Sequence, residues 1–151
     1  TQAKTLFPYT TLFRSRHLQS VKNGFLHVSK ETSEFPKIES GEMGKIYRDS
    51  IFVPCPGGWA GIETFRTNEA LEAGCIPVVP RSPYWAGMHG DDVPFVQVDS
   101  WEQAAQVINE MMLNPFRLEQ FRMHCSNWWI NKKNKTVDNL TNFVVSKLNL
   151  K

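Results

Sequence analysis

The sequence predicts an α/β fold, in which a Rossmann-like parallel sheet carries flanking helices and is followed by C-terminal helices. Two apolar runs of strand length, residues 51–55 and 75–79, are suited to a parallel sheet that is buried on both faces. Residues 62–73 between them have a helical pattern, and Gly74 follows as a helix-ending glycine. A strand, a crossover helix and a second strand form a right-handed unit of a parallel sheet.

Shorter patterns extend this series on both sides. Residues 25–28 and 93–98 are strand candidates, and Pro94 predicts that the second candidate lies at an edge of the sheet. Residues 42–49 favour a short helix with one apolar face. Residues 80–92 contain prolines and glycines and are predicted to be a loop.

Three helices are expected in the last third of the chain. Ser100 is predicted to cap the first helix, with Gln103 at the capping-box position. Residues 116–129 and 136–148 have the apolar spacing of two further helices. The basic run between them, residues 131–135, is interpreted as a solvated helix end or loop rather than a binding patch.

Composition and charge exclude several classes of protein. The chain has 151 residues, of which 41% are hydrophobic, as expected for one globular domain. Its formal net charge of +2 is too small to suggest a nucleic-acid-binding protein. The three cysteines form no CxxC pair, so no zinc site is expected, and Cys55 and Cys75 are predicted to be buried free thiols rather than a disulfide. No apolar run is long enough to span a membrane.

The sequence of the N-terminal segment indicates that it does not belong to the native protein. Residues 5–15, TLFPYTTLFRS, show no helix or strand periodicity and are identical to the in-frame translation of a widely used short-read sequencing adapter. We therefore expect residues 1–15 to be an adapter-derived artefact and exclude them from the predicted fold, with a native disordered arm as the alternative. On this interpretation residues 16–151 are a fragment of a longer protein.

A glycine-bearing loop and the helix after it have the features of an anion site. Gly57, Gly58 and Gly61 lie between the first apolar strand and the helix, where glycine allows positive φ and a close approach of backbone N–H groups to a ligand. Arg66 is placed to reach a phosphate, and Glu69, three residues later on the same face, is placed to accept hydrogen bonds from a ribose diol. A surface ion pair between these two side chains is an equal alternative on spacing alone. The loop matches neither GxGxxG nor a P-loop.

These residues belong to a longer stretch that resembles a known family. SIFVPCPGGWAGIETFRTNEALEAGCIPVVPRSPYW, residues 50–85, resembles the donor-binding C-terminal half of exostosin-like glycosyltransferases, which have the GT-B fold. The shared pattern R-x-x-E-A-L-x-x-G-C-I-P-V-V begins at Arg66. DDVPFVQVDSWEQAAQVINEM, residues 91–111, resembles the strand and helix that follow in the family.

The resemblance implies a function and a set of donor-binding residues. Members of the family transfer a sugar from a nucleotide-sugar, usually a UDP-sugar, to a hydroxyl of a glycan or glycoprotein acceptor, with no cofactor besides the donor. Arg66 would contact the donor diphosphate and Glu69 the ribose, and the glycine loop would face the phosphates. Thr64 and Ser82 complete the implied donor-binding set.

The resemblance also implies a location. The eukaryotic members are mostly Golgi type II membrane proteins, so a lumenal domain with a membrane anchor in the missing upstream part is expected. Two N-glycosylation sequons, beginning at Asn134 and Asn139, are compatible with a lumenal protein.

The match to the family has gaps that leave the chemistry open. The E-x7-E pattern of retaining enzymes is absent, because Leu71 stands eight residues after Glu63. The half that binds acceptor and often supplies the catalytic base is not in this chain, so no catalytic residue is assigned. His89, Asp91 and Asp92 are the candidates near the cleft, but a position on a solvated loop or turn is the favoured interpretation of each.

Two other classes of protein stay as alternatives. The first is a non-catalytic or inactive nucleotide-sugar-binding module. The second is an unrelated Rossmann-like domain, for which a dehydrogenase would need GxGxxG and a fucosyltransferase-type domain would need a lysine in the helix motif. Residues 62–73 contain no lysine.

Overall fold

The computed structural model describes residues 4–8, 21, 24–27, 40–58 and 61–148. These residues form the predicted α/β fold, a parallel sheet with flanking helices and C-terminal helices. The elements in chain order are β1 (Lys4–Pro8), β2 (Gly24–His27), α1 (Ser40–Arg48), β3 (Ser50–Pro54), α2 (Phe65–Glu72), β4 (Ile76–Pro80), α3 (Pro83–His89), β5 (Val96–Val98), α4 (Trp101–Met112) and α5 (Pro115–Leu148).

The described residues form a sheet of five strands in the order β2-β1-β3-β4-β5, and each neighbouring pair is parallel. The candidate at residues 25–28 corresponds to β2, although Val28 lies outside the described residues. The candidate at residues 93–98 is shortened to β5, which ends the sheet on one side as Pro94 predicts.

The exclusion of residues 1–15 from the fold is wrong for Lys4–Pro8. These five residues form β1, which pairs with β2 on one side and with β3 on the other. Strand pairing uses backbone groups, so a segment without clear side-chain alternation can still complete a sheet. Residues 9–20 lie outside the described residues. The adapter origin of the segment and a domain boundary at residue 16 stay predictions.

The core lies on both faces of β3 and β4, as the two apolar runs predict. Phe52 pairs with Ile76 in the register of the two strands. Both side chains have 0% exposure, as do Val53, Val78 and Val79. Ala70 in α2 is equally buried, and its small side chain lets the crossover helix lie close to the sheet.

Gly74 ends α2 as predicted. Its φ of 75° lies in the left-handed region, which favours glycine. The N–H of Gly74 donates to Leu71 O at 3.1 Å, and the N–H of Cys75 donates to Ala70 O at 2.8 Å. This Schellman arrangement satisfies carbonyl groups at the helix end immediately before β4 begins.

The loop predicted at residues 80–92 contains a helix, α3, so that prediction is wrong. Ser82 caps this helix by accepting a hydrogen bond from the Tyr84 N–H at 3.1 Å, and Pro83 occupies the first turn. Trp85 is fully buried, and its indole N–H donates to Pro80 O at 2.9 Å. Pro83, which suggested a loop, instead marks the start of the helix, and Pro80 ends β4.

The C-terminal part contains two helices rather than three. Ser100 caps α4 as predicted, because its hydroxyl accepts from the Gln103 N–H at 3.2 Å. Residues 116–129 and 136–148 are one helix, α5, of 34 residues, so the predicted break at residues 131–135 is wrong. Residues 116–148 contain no glycine or proline, and a run of lysines and asparagines alone does not end a helix.

The three cysteines are free and buried, as expected for Cys55 and Cys75. Burial raises the pKa of each thiol, Cys125 included, to about 12. A thiol with a raised pKa in the folded state stabilises the protein below its pKa in the unfolded chain, and this stability is lost as pH rises further.

We predict that the free energy of unfolding falls with rising pH above about pH 9, with a slope of up to ~1.4 kcal/mol per pH unit for each thiol. Denaturant titrations at several pH values measure this slope. Cys125→Ala should make the slope shallower, because one titrating thiol is removed. An unchanged slope in that variant would show that Cys125 ionises equally in both states.

Candidate functional site

The glycine loop, the start of α2 and Ser82 lie at the carboxyl ends of β3 and β4. Glu69 lies further along α2, beside Tyr47. The strands β3 and β4 are parallel neighbours, and the Cys55 N–H just after β3 donates to Val78 O at 2.7 Å. The loop after β3 and the turn after β4 therefore leave the sheet at the same edge. This edge is where open parallel sheets bind ligands.

Two of the three glycines in the loop, Gly57 and Gly58, are closely packed, whereas Gly61 has open space around it. The Gly58 N–H donates to Gly61 O at 2.8 Å, so the loop folds back on itself. A Cβ atom at Gly58 would lie 3.1 Å from Thr64 Cγ2, and one at Gly57 would lie 3.3 Å from Gly61 O. None of these three glycines uses the positive φ that glycine allows.

The first turn of α2 lacks a side-chain cap. Thr64 occupies the N-cap position with φ −131° and ψ 157°, but its side chain makes no capping hydrogen bond. Its Oγ1 atom is buried and has no hydrogen-bond partner in the described part of the chain. The helix therefore presents its N-terminus, with a buried hydroxyl beside it, to the loop. Such an end can bind an anion.

Arg66 and Glu69 lie on α2 close to Tyr47 of α1. Arg66 is half-buried and Glu69 is exposed. The Tyr47 hydroxyl donates to Glu69 Oε2 at 3.3 Å. Burial, followed by the charge of Glu69, raises the pKa of Tyr47, and the charge of Arg66 opposes this shift. The two predicted donor residues thus share one electrostatic environment with Tyr47.

A cavity of about 380 Å³ lies between α1 and α2. Glu69 is in its wall, beside the apolar surfaces of Met43, Tyr47 and Ala73. The cavity is therefore continuous with the part of α2 that the sequence assigns to ribose. Tyr47 has no place in the predicted site, because it lies 22 residues before Glu69 and no local pattern links the two.

Glu63 connects the glycine loop to α3. The Tyr84 hydroxyl donates to Glu63 Oε2 at 2.5 Å, and this hydrogen bond raises the pKa of Tyr84. His89 Nε2 lies 3.3 Å from Glu63 Oε1, an ion-pair distance without hydrogen-bond geometry. The sequence considered His89 as a catalytic candidate but did not place it beside Glu63 or Tyr84.

The remaining candidates have less specific positions. Ser82 lies at the same edge of the sheet, where its hydroxyl caps α3, and its contact with a donor stays a prediction. Asp91 and Asp92 are exposed in the turn after α3.

Across the residues that the structure describes, no group of three histidine, cysteine or acidic side chains could hold a metal ion. None of the described helices is long and apolar enough to cross a membrane.

Comparison with known proteins identifies the fold. No protein-family model and no curated protein matches the sequence. Two crystal structures of α1,3-fucosyltransferases match the structure with TM-scores of 0.57 and 0.56 at 14% sequence identity, and the second contains GDP-fucose. Each match covers 80% of this chain and 36% or 38% of the other.

The likeness shows that the chain has a glycosyltransferase fold. The chain spans little more than a third of the length of the two fucosyltransferases. The sequence argued against a fucosyltransferase-type domain because residues 62–73 contain no lysine. The similarity in fold leaves this argument unchanged, because residues 62–73 still lack the lysine that a fucosyltransferase-type domain would need.

We predict that Tyr84→Phe loosens the glycine loop, because it removes the hydroxyl that binds Glu63. Amide hydrogen exchange at Gly58 should become faster, since its N–H is bonded within the loop. Tyr47→Phe is the matched control: it removes one hydroxyl from α1 that binds Glu69 on α2 instead of Glu63, and should leave this exchange unchanged. Equal exchange at Gly58 in wild type and Tyr84→Phe would contradict the link.

Proposed function

We propose that this chain is the donor-binding domain of a glycosyltransferase, which transfers a sugar from a nucleotide-sugar to a hydroxyl of a glycan. The observation that carries the proposal is the uncapped N-terminus of α2, which faces the glycine loop and has Arg66 in its first turn. A helix N-terminus beside a glycine loop and an arginine is suited to bind the diphosphate that every nucleoside-diphosphate sugar contains. The glycosyltransferase fold supports the same conclusion.

The diphosphate is bound by the first turn of α2 and the residues around it. Backbone N–H groups of the helix end donate to phosphate oxygens, and the Thr64 hydroxyl gains the partner that it lacks among the described residues. Arg66 adds a planar, always-charged group that can bind phosphate in a bidentate way. Gly57 and Gly58 have little room for a Cβ atom, so this part of the loop offers backbone groups rather than side chains to the diphosphate.

The ribose is bound by Glu69. Its carboxylate is exposed and held by the Tyr47 hydroxyl, so it keeps acceptor capacity for the two hydroxyls of a ribose. The adjoining cavity between α1 and α2 offers an apolar wall to the rest of the nucleoside. Tyr47 is a positioning residue in this arrangement.

The donor nucleotide and the family are part of the proposal. The motif that begins at Arg66 resembles exostosin-like enzymes and favours a UDP-sugar, whereas one structure of similar fold contains GDP-fucose. We propose UDP as the preferred nucleotide and the Golgi lumen as the location, with Asn134 and Asn139 both exposed on α5. A nucleotide-sugar-binding module without activity is the second candidate, because no catalytic base is assigned in this chain.

We predict that the 151-residue chain binds UDP weakly, and more tightly than GDP, in isothermal titration calorimetry. Arg66→Ala should weaken UDP binding roughly tenfold or more, because a charged group hydrogen-bonded to phosphate is lost. Arg81→Ala is the control: it also removes an arginine from this edge of the sheet, but Arg81 is paired with Asp99.

Three results would count against this assignment. Unchanged affinity in Arg66→Ala would remove Arg66 from the site. An equal loss in Arg81→Ala would mean that net charge rather than position controls binding. Failure of UDP and GDP to bind would contradict the donor-binding role itself.

We also predict that Glu69 accounts for ribose recognition. Wild type should prefer UDP to its 2′-deoxy analogue, and Glu69→Ala should bind both nucleotides equally. Glu119→Ala is the control, since this acid lies on α5, where it is bonded to Arg122, and outside the cavity between α1 and α2. A preference for UDP that survives in Glu69→Ala would assign the ribose to another residue.

A further inference from the structure

A second cavity, of about 280 Å³, lies where the end of α3 faces the middle of α5. None of the seven predicted donor residues lines it. Its lining is polar and includes one tryptophan. The residues are His89, Asp92, Trp128, Asn131, Lys132, Lys135, Thr136 and Asn139.

One face of α5 provides most of this lining. The cavity residues on α5 are Trp128, Asn131, Lys132, Lys135, Thr136 and Asn139. Residues three or four positions apart lie on the same face of a helix, and this series follows that spacing. This face exists because α5 continues through residues 131–135 instead of breaking there. His89 and Asp92 form the opposite wall.

The lysines of the basic run have different surroundings. Lys133 faces α2, where its ammonium lies 2.7 Å from Glu72 Oε2. Lys132 and Lys135 line the cavity, and neither has an ion-pair partner in the described part of the chain. Two like charges one turn apart on a helix repel each other, and a bound anion would relieve this repulsion.

His89 adds an unsatisfied polar group to the opposite wall. Its side chain is 11% exposed, its Nε2 atom lies 3.3 Å from Glu63 Oε1, and its Nδ1 atom makes no hydrogen bond within the described residues. Buried polar groups normally have a partner, so the Nδ1 atom has capacity for a ligand. Edge contacts with Phe95 and Trp128 hold the ring in place, with centroid distances of 6.2 Å and 5.8 Å.

We propose that this cavity binds a sugar ring that carries an anionic group, a carboxylate or a phosphate. Lys132 and Lys135 bind the anionic group. The amides of Asn131 and Asn139 donate to and accept from ring hydroxyls, and Trp128 offers an apolar surface to the C–H groups of the ring. The site is separate from the donor residues, so it does not depend on the function proposed above.

Titration of the isotope-labelled full chain, followed by NMR, tests the proposal. The protein is made without glycosylation, because Asn139 begins a sequon. The probes are glucose, glucuronate and glucose 6-phosphate, which share a ring and differ in charge. We expect glucuronate or glucose 6-phosphate to shift the Trp128 indole signal with saturation, and the stronger of the two identifies the anionic group. Glucose should bind at least about tenfold more weakly, since it lacks a charge-assisted hydrogen bond.

Single-charge variants separate this site from general attraction of anions. Lys132→Gln and Lys135→Gln should each weaken binding of the charged probe about tenfold. Lys133→Gln removes the same charge from the same run but lies outside the cavity, and binding should be unchanged. The proposal is overturned if no probe binds, if glucose binds as tightly as the charged sugars, or if Lys133→Gln weakens binding as much as the other two. UDP binding by the same samples, measured by calorimetry, reports on the donor site separately.

Discussion

The burial of β3 and β4 on both faces is the constraint on which the rest of the structure depends. Two adjacent parallel strands cannot be joined by a tight turn, so the chain must cross back through α2. That helix has to lie against strands whose side chains are fully buried, and Ala70 permits the close contact. The same parallel pairing places the ends of both strands at one edge. The glycine loop, the start of α2 and the cap of α3 therefore meet there.

The long helix α5 packs at the amino ends of the strands, opposite the carboxyl ends where the glycine loop and the start of α2 lie. Arg122 Nη1 donates to Gly74 O just before β4, and the Cys125 thiol donates to Pro94 O just before β5. Further along, Trp129 and Lys133 both bind Glu72 at the end of α2, and these hydrogen bonds lower the pKa of Glu72. Because α5 crosses the amino ends of the strands, it packs the domain without covering the edge that holds the candidate donor residues.

Local sequence patterns were sufficient for the central part of the fold. Apolar runs, a helix-ending glycine and a serine cap each depend on residues within one turn or one strand of each other, and they gave β3, α2, β4 and α4. The helix α3 was missed because Pro83 and Gly87 weigh against helix in any local count, although Trp85 is fixed by a buried hydrogen bond to Pro80. The strand β1 was missed because its place depends on backbone pairing with two distant strands.

The candidate site likewise contains residues that local sequence patterns predicted and residues that they did not. Arg66 and Glu69 belong to one helix and were found from their spacing. Tyr47 and Tyr84 reach the site from other elements, 22 and 21 residues away from their partners, and only the folded chain brings these pairs together. The separate roles of Lys132 and Lys133 depend on which side of α5 faces α2, which the sequence does not reveal by itself.

The short strand β5 has a consequence for how the protein behaves among other molecules. The described sheet ends at this strand, and an open sheet edge offers unpaired backbone groups on which another chain can add a strand. The strand β5 has three residues. Pro94 lies before it, and Asp99, which is paired with Arg81, follows it. This edge is therefore too short and too polar to serve as a template for another strand. The geometry that ends the sheet thus also protects the domain against aggregation through its edge.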